Sequence, residues 1–150
     1  MDVCLKIEIA SDPQLLCVVR GTVQQLAAVF GFPEEACRAI TLAVDEALTN
    51  VIRHAYGDRH DQKIEIICSC LPKDSGLEFV IVDRGKSADP AQLKSRNLDD
   101  VRPGGLGVHL IPQIMDKVHY EPSPECNRLR MIKYLKDPRP VGAKSPSGGE

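Results

Sequence analysis

Apolar and polar residues alternate near the start of the chain, and this pattern predicts a β-strand over residues 3–10. A helix is expected to follow, because apolar residues then recur at helical spacing as far as Phe30. A capping residue and a first-turn proline at 11–13 would begin this helix, and Gly31 would end it.

Proline and two acidic residues at 33–35 predict the start of a second helix, which we expect to run to about Ala55 and to end at Gly57. The next two apolar runs, 63–71 and 77–83, have the composition of strands and are separated by a turn-rich segment. They predict an antiparallel hairpin.

The second half of the chain begins with a stretch at 84–102 that lacks apolar periodicity, is long for a passive loop, and predicts a functional lid. The glycine-rich run 104–107 then leads into an apolar helical pattern. Two closing strands are predicted near 118–121 and 127–135. Residues 137–150 are rich in Pro, Gly and Ser and predict a disordered tail.

This order of elements lacks the strict alternation of a doubly wound sheet and predicts an α+β domain over 1–136. We expect its helices to cover one face of a mixed, mostly antiparallel sheet. The other face would be partly solvated or used for association.

Composition narrows the class of protein further. With 150 residues, 43% apolar and 27% charged, the chain has the balance of one globular domain rather than of a disordered chain or a coiled coil. The net charge of −2 gives no basic field for nucleic acid or a membrane surface. No apolar run is long enough to span a bilayer, and the first residues lack the features of a secretory signal, so we expect a cytoplasmic protein. The six cysteines form no CxxC pair and are expected to be reduced, buried thiols.

Two sets of residues that precede the glycine-rich run could carry chemistry. Glu46 and Asn50 lie four positions apart on the second predicted helix, so one stripe would present a carboxylate and an amide, although a solvated helix face has the same pattern. Asp83 ends an apolar strand, where its carboxylate could accept a hydrogen bond from a ligand, and Gly85 would let a ligand approach the backbone. A simple turn after a strand is the alternative.

A third set precedes the third helix. Exposed backbone N–H groups at a glycine-rich helix start form an anion site, and a flexible hinge is the alternative for this run. The G-x-x-x-x-G-K-[ST] and G-x-G-x-x-G phosphate motifs are both absent. The run consists of Gly104, Gly105, Leu106 and Gly107.

In their order and separation, the ExxxN, DxG and GGLG segments resemble the N, G1 and G2 boxes of the GHKL ATPase superfamily. The segments DEALTNVIRHAYG at 45–57 and PGGLGVHLIPQIMDKVHYE at 103–121 resemble those of the anti-sigma-factor serine/threonine-protein kinases of the RsbW type. The resemblance covers about residues 5–135. It implies the Bergerat α/β sandwich, ATP and Mg²⁺ as ligands, and frequent homodimers that pair through the sheet.

The resemblance also implies roles for individual residues. Glu46 would be the general base and Asn50 would ligate Mg²⁺. Asp83 would accept a hydrogen bond from the adenine amine, with Gly85 making room for the ring. Arg102 would offset γ-phosphate charge during transfer. Backbone N–H groups of the glycine-rich run would bind the phosphates. The residues that contact ATP would therefore include Gly104, Gly105, Leu106 and Gly107.

By this resemblance the protein is an anti-sigma factor that binds a sigma factor and phosphorylates a small anti-sigma-factor antagonist, with no direct contact to nucleic acid or membrane. The alternative is a catalytically inactive, nucleotide-gated module that sequesters a transcription regulator, because retained residues do not guarantee catalytic geometry. A sensor histidine kinase would also need a phosphoacceptor helix pair, for which 150 residues leave no room.

Overall fold

The computed structural model describes residues 1–88 and 107–136, which form one five-stranded sheet with three helices on one face. The strands follow the spatial order β1-β2-β3-β5-β4, and all four pairings are antiparallel. The predicted α+β fold is confirmed. The sequence predicts a mixed, mostly antiparallel sheet, and every strand pair in the described residues is antiparallel. The elements are β1 (Asp2–Ala10), α1 (Leu16–Phe30), α2 (Glu34–Asn50), β2 (Lys63–Cys70), β3 (Gly76–Asp83), α3 (Gly107–Ile114), β4 (Lys117–Pro122) and β5 (Asn127–Tyr134).

The core lies between the sheet and the helices. Phe79 and Met131, on the adjacent strands β3 and β5, are fully buried there, together with Val44 of α2. Helix α2 packs against both α1 and α3 and is therefore the central helix of the layer. The opposite face of the sheet is polar at its middle, where the buried carboxylate of Glu78 pairs with Arg130 at 2.9 Å.

Each helix boundary has a local cause. The carboxylate of Asp12 accepts a 2.9 Å hydrogen bond from the backbone N–H of Gln14 and begins a short 3₁₀ turn, Pro13–Leu15, which leads into α1. Helix α1 ends at Gly31, whose φ of 108° only glycine adopts readily. The predicted hairpin of β2 and β3 is present, as are the two predicted closing strands.

The cysteines were predicted to be reduced and buried, and only part of this prediction holds. All six thiols are free. Cys37 and Cys68 are buried, but Cys4 and Cys17 are exposed. Their exposure follows from position, because Cys4 lies on the outermost strand β1 and Cys17 lies on the solvent side of α1.

Two predicted segments fall largely outside the described residues. Of the predicted lid at 84–102, the structure describes only 84–88, and the predicted tail at 137–150 is not described. Within the described parts of the chain, no helix combines the length and apolar content needed to cross a bilayer.

Candidate functional site

The polar side of α2 presents the two residues expected from the sequence. Glu46 and Asn50 are both half-buried, one helical turn apart. Among the described residues no hydrogen bond engages either side chain, whereas the neighbouring Asp45 pairs with Arg20 at 2.9 Å. Glu46 and Asn50 therefore have donor and acceptor capacity available to a ligand, as far as the described residues are concerned.

Helix α2 does not stop at Asn50 but continues into one π-helical turn, Val51–Ala55, as far as the sequence predicts. The backbone N–H of Tyr56 donates a 3.0 Å hydrogen bond to the carbonyl of Val51, which closes this wider turn. Gly57, with a φ of 55°, then ends the helix. Turns of this kind are frequent at functional sites.

Asp83 is the buried acid of the site and is 5% exposed. Its Oδ1 accepts hydrogen bonds of 2.9 Å from the backbone N–H of Gly85 and from the side-chain amide of Asn127. Burial raises the pKa of the Asp83 carboxyl above its usual value, and the two hydrogen bonds oppose that rise. No described residue donates to Oδ2, so one carboxylate oxygen can accept from a ligand.

Asn127 begins strand β5 directly beside Asp83 and is 1% exposed. Its Nδ2 donates to Asp83 and, at 3.1 Å, to the backbone carbonyl of Gly85. Its Oδ1 accepts a 2.7 Å hydrogen bond from the Ser87 hydroxyl. Sequence reasoning missed this residue, although a polar residue in an apolar strand pattern was the available signal.

The end of α2 and the turn after β3 are joined directly. The backbone N–H of Lys86 donates a 2.8 Å hydrogen bond to the carbonyl of Ala55. A side chain at position 85 would not fit, because a Cβ there would lie 2.8 Å from the Cβ of Ala55 and closer still to its carbonyl. Gly85 is thus required by packing, independently of any ligand, and its predicted role in making room for a ring stays a prediction.

Tyr56 supplies a second link between the same two segments. Its hydroxyl donates a 2.6 Å hydrogen bond to the carbonyl of Lys63 and accepts one of 2.8 Å from the backbone N–H of Arg84. Burial raises the pKa of Tyr56 above its usual value, which keeps this hydroxyl protonated and able to do both. Nothing in the sequence pattern predicts this role of Tyr56.

The glycine-rich segment is only partly described. Gly107 begins α3, as predicted, and α3 packs against α2, so the N-terminal region of α3 belongs to the same layer as Glu46 and Asn50. The other predicted residues of this segment lie outside the described residues, so their placement stays a prediction. They are Arg102, Gly104, Gly105 and Leu106.

The donor set suits the predicted ligands on chemical grounds. The amide oxygen of Asn50 is a hard ligand of the kind that Mg²⁺ accepts, and it is free of other described partners. Backbone N–H groups at the start of α3 favour anions. The helix layer therefore carries a carboxylate and an amide on α2 and the start of α3, and the buried acceptor Asp83 ends a strand that is hydrogen-bonded to the end of α2 through the following turn.

Comparison with known proteins identifies the family to which the chain belongs. Residues 9–133 match the family described as the histidine kinase-like ATPase domain. The chain belongs to this family. It also belongs to the RsbW serine-protein kinases, since it is 30% identical over 122 residues to the RsbW of Oceanobacillus iheyensis, with 76% of each chain covered. The RsbW of Bacillus velezensis is 27% identical over 143 residues, which cover 90% of this chain and 88% of the relative.

Solved structures share the fold of this RsbW-family chain at low identity. The structure of the RsbU and RsbW domains of a Mycobacterium tuberculosis protein is 14% identical with a TM-score of 0.65, over 87% of this chain but only 32% of that longer one. A structure of the SiaB–SiaC complex from Pseudomonas aeruginosa is 12% identical with a TM-score of 0.63, over 87% and 89% of the two chains. These likenesses confirm the predicted ATPase-type sandwich.

Proposed function

We propose that the protein is an ATP-dependent serine/threonine-protein kinase that acts as an anti-sigma factor. The observation that carries this proposal is the buried Asp83, whose Oδ1 is held by Gly85 and Asn127 while its Oδ2 is available to a ligand among the described residues. The same strand end is attached to the helix that carries Glu46 and Asn50.

Adenine recognition follows from the geometry of Asp83. The exocyclic amine of adenine donates hydrogen bonds, and the free oxygen of a fixed carboxylate accepts one of them. A guanine ring presents a carbonyl acceptor at the corresponding position, which would face the carboxylate without a proton between them. The site therefore selects ATP over GTP.

The phosphates of ATP would lie toward the start of α3, where the helix dipole and the backbone N–H of Gly107 favour negative charge, and the backbone N–H of Gly105 would donate to them as well. Arg102 would offset the charge that develops on the γ-phosphate during transfer. Mg²⁺ bound through Asn50 would neutralise part of the triphosphate charge. Leu106 and Gly104 would complete the nucleotide-contacting segment.

Glu46 acts on the partner rather than on the nucleotide. Its carboxylate takes the proton of a serine or threonine hydroxyl held in line with the γ-phosphorus. A new bond forms between that oxygen and phosphorus, the bond to the β,γ-bridging oxygen breaks, and ADP leaves. Half-burial of Glu46 on an ordered helix provides a fixed position for this base.

The partners follow from the family. Relatives are named serine-protein kinases, and the SiaB–SiaC structure shows a similar fold in complex with another protein. We propose a sigma factor and a small phosphorylatable antagonist as alternative partners, in the bacterial cytoplasm where ATP is available. With a net charge of −2, direct contact with nucleic acid is not part of the proposal.

The proposal includes a homodimer. Strand β1 is an edge of the sheet, and α1 beside it exposes Val18 and Val29, which are 56% and 74% exposed. Leu5 and Leu26 line an open apolar groove between these two elements. A second copy would cover this groove.

Dimerisation is tested by light scattering coupled to gel filtration. Val18→Glu should shift the chain from twice the monomer mass to the monomer mass. Leu42→Glu, at an exposed position of α2, is the matched control and should leave the mass unchanged. A wild-type chain that remains monomeric at high concentration contradicts the dimer.

The kinase activity is tested by transfer of labelled γ-phosphate to candidate antagonist proteins. Glu46→Gln should reduce the transfer rate by about 10²–10⁴-fold while ATP affinity stays within about threefold of the wild type. Glu35→Gln, an exposed acid at the start of the same helix, is the control. ATP binding without transfer to any antagonist would instead support the nucleotide-gated sequestering module.

A further inference from the structure

Three cysteine residues lie together at the edge of the sheet, where Cys4 of β1 is beside Cys68 and Cys70 of β2, which are far from it along the chain. The pairing of β1 with β2 sets Asp2 opposite Cys70 and Leu5 opposite Cys68. A bulge between Val3 and Leu5 inserts Cys4 as an extra residue opposite these positions. The bulge thus places the side chain of Cys4 against the two cysteines of β2.

The contacts of the three thiols differ. The Cys4 thiol donates a 3.3 Å hydrogen bond to the backbone carbonyl of Cys68, two positions before Cys70 on the same strand. Cys4 is exposed, Cys70 is half-buried and Cys68 is fully buried. An oxidant can therefore reach Cys4 first, and Cys70 is the more accessible of the two thiols on β2.

We propose that Cys4 and Cys70 form a redox modification site that closes to a cross-strand disulfide when the protein meets a peroxide. The pair joins the outermost strand to its neighbour. The proposed nucleotide site plays no part in it, so the inference does not rest on the proposed function.

The chemistry needs only hydrogen peroxide as oxidant. The Cys4 thiolate attacks one peroxide oxygen, the O–O bond breaks, and the products are a sulfenic acid at Cys4 and water after protonation. The Cys70 thiolate then attacks the Cys4 sulfur, the S–O bond breaks and a second water leaves. Two thiols and one peroxide thus give one disulfide and two waters.

The surroundings of Cys70 set the pH dependence of the second step. Burial raises the pKa of Cys70 to about 11, and the nearby Cys4, Asp74 and Asp2 act in the same direction. As long as the pH stays below that value, the thiolate fraction of such a thiol grows about tenfold for each unit by which the pH rises. Closure should accelerate about tenfold from pH 7 to pH 8 and about tenfold again to pH 9.

The experiment uses the full chain, reduced and then treated with hydrogen peroxide. Free thiols are blocked by alkylation, and a tryptic digest is analysed without reduction. We expect a linked pair of peptides, MDVCLK and IEIICSCLPK, that separates on reduction. Fragmentation of the linked pair, together with Cys68→Ala and Cys70→Ser, assigns the second cysteine.

The cysteine variants differ in whether the link between the two peptides should form. Cys4→Ser should abolish the link, Cys70→Ser should leave sulfenic or sulfinic acid on Cys4, and Cys68→Ala should retain the link. Cys17→Ser, another exposed cysteine, is the matched control and should retain it. A link to Cys68, a link between chains through Cys17, or over-oxidation of Cys4 in the wild type with Cys70 still free would each overturn the proposal.

Discussion

The side-chain amide of Asn127 donates a 2.9 Å hydrogen bond to Oδ1 of Asp83, and both residues are buried side by side at the ends of neighbouring strands. Because the amide also binds the carbonyl of Gly85, it fixes the rotation of the carboxylate and the turn that follows. Asn127 is therefore a positioning residue for the acceptor that we assign to adenine.

Asn127→Ala should weaken ATP binding and stability together. The variant leaves a buried carboxylate oxygen and a carbonyl short of a donor, which costs about 1–3 kcal/mol of unfolding free energy. ATP affinity, measured by calorimetry, should fall about tenfold as Asp83 loses its fixed rotamer. Ser87→Ala removes only the hydroxyl that donates to Oδ1 of Asn127 and leaves both bonds of its amide group in place, so it should cost less unfolding free energy than Asn127→Ala and change ATP affinity by less than about twofold. Equal effects of the two variants would contradict the positioning role.

Asp83→Asn should separate stability from ligand binding. An amide at this position keeps an oxygen for the donors Gly85 and Asn127 but removes the buried charge. We expect the free energy of unfolding at pH 7 to equal or exceed that of the wild type in chemical denaturation. ATP affinity should fall about 10–100-fold, since a hydrogen bond to a charged group is lost. A variant that is less stable and still binds ATP would refute the assignment of Asp83.

The pH dependence of ATP binding is a second test of the role of Asp83. The ionised carboxylate is the acceptor, and burial raises the pKa of Asp83 above the ordinary 3.8. ATP affinity should therefore decline on acidification at a higher pH than an ordinary aspartate would give. The stability of the protein without ATP should depend on pH in the opposite direction. Because the pKa of Asp83 is raised in the folded state, the free energy of unfolding falls as pH rises from 3.8 through that pKa. Asp83→Asn should remove both trends.

Tyr56→Phe tests the second link between α2 and β3. Loss of the hydroxyl leaves the Arg84 N–H and the Lys63 carbonyl without this partner, which should cost about 1–3 kcal/mol of unfolding free energy. Thermal and denaturant unfolding measure this directly. Tyr134→Phe makes the same chemical change at an exposed tyrosine and should cost less than about 0.5 kcal/mol.

Local patterns in the sequence predict much of the fold and the motif residues of the site. Helix ends at Gly31 and Gly57, the β2–β3 hairpin and the ExxxN stripe each depend on neighbouring residues, so their spacing is readable from the chain. The partners of Asp83 and the Tyr56 link depend on pairs such as 83 and 127, brought together only by sheet order. The prediction of buried cysteines is wrong for Cys4, because no sequence pattern distinguishes an edge strand from an inner one.

The hydrogen bond from Lys86 to Ala55 has a consequence for motion. It joins the end of α2 to the turn after β3, so we expect the segments that carry Asn50 and Asp83 to move together. The Lys86 amide should then exchange its proton with solvent only when that junction separates, at a rate close to that of the most protected amides in β3. We expect the hydrogen bond between Lys86 and Ala55 to stay intact when nucleotide binds, so that other segments move relative to this junction.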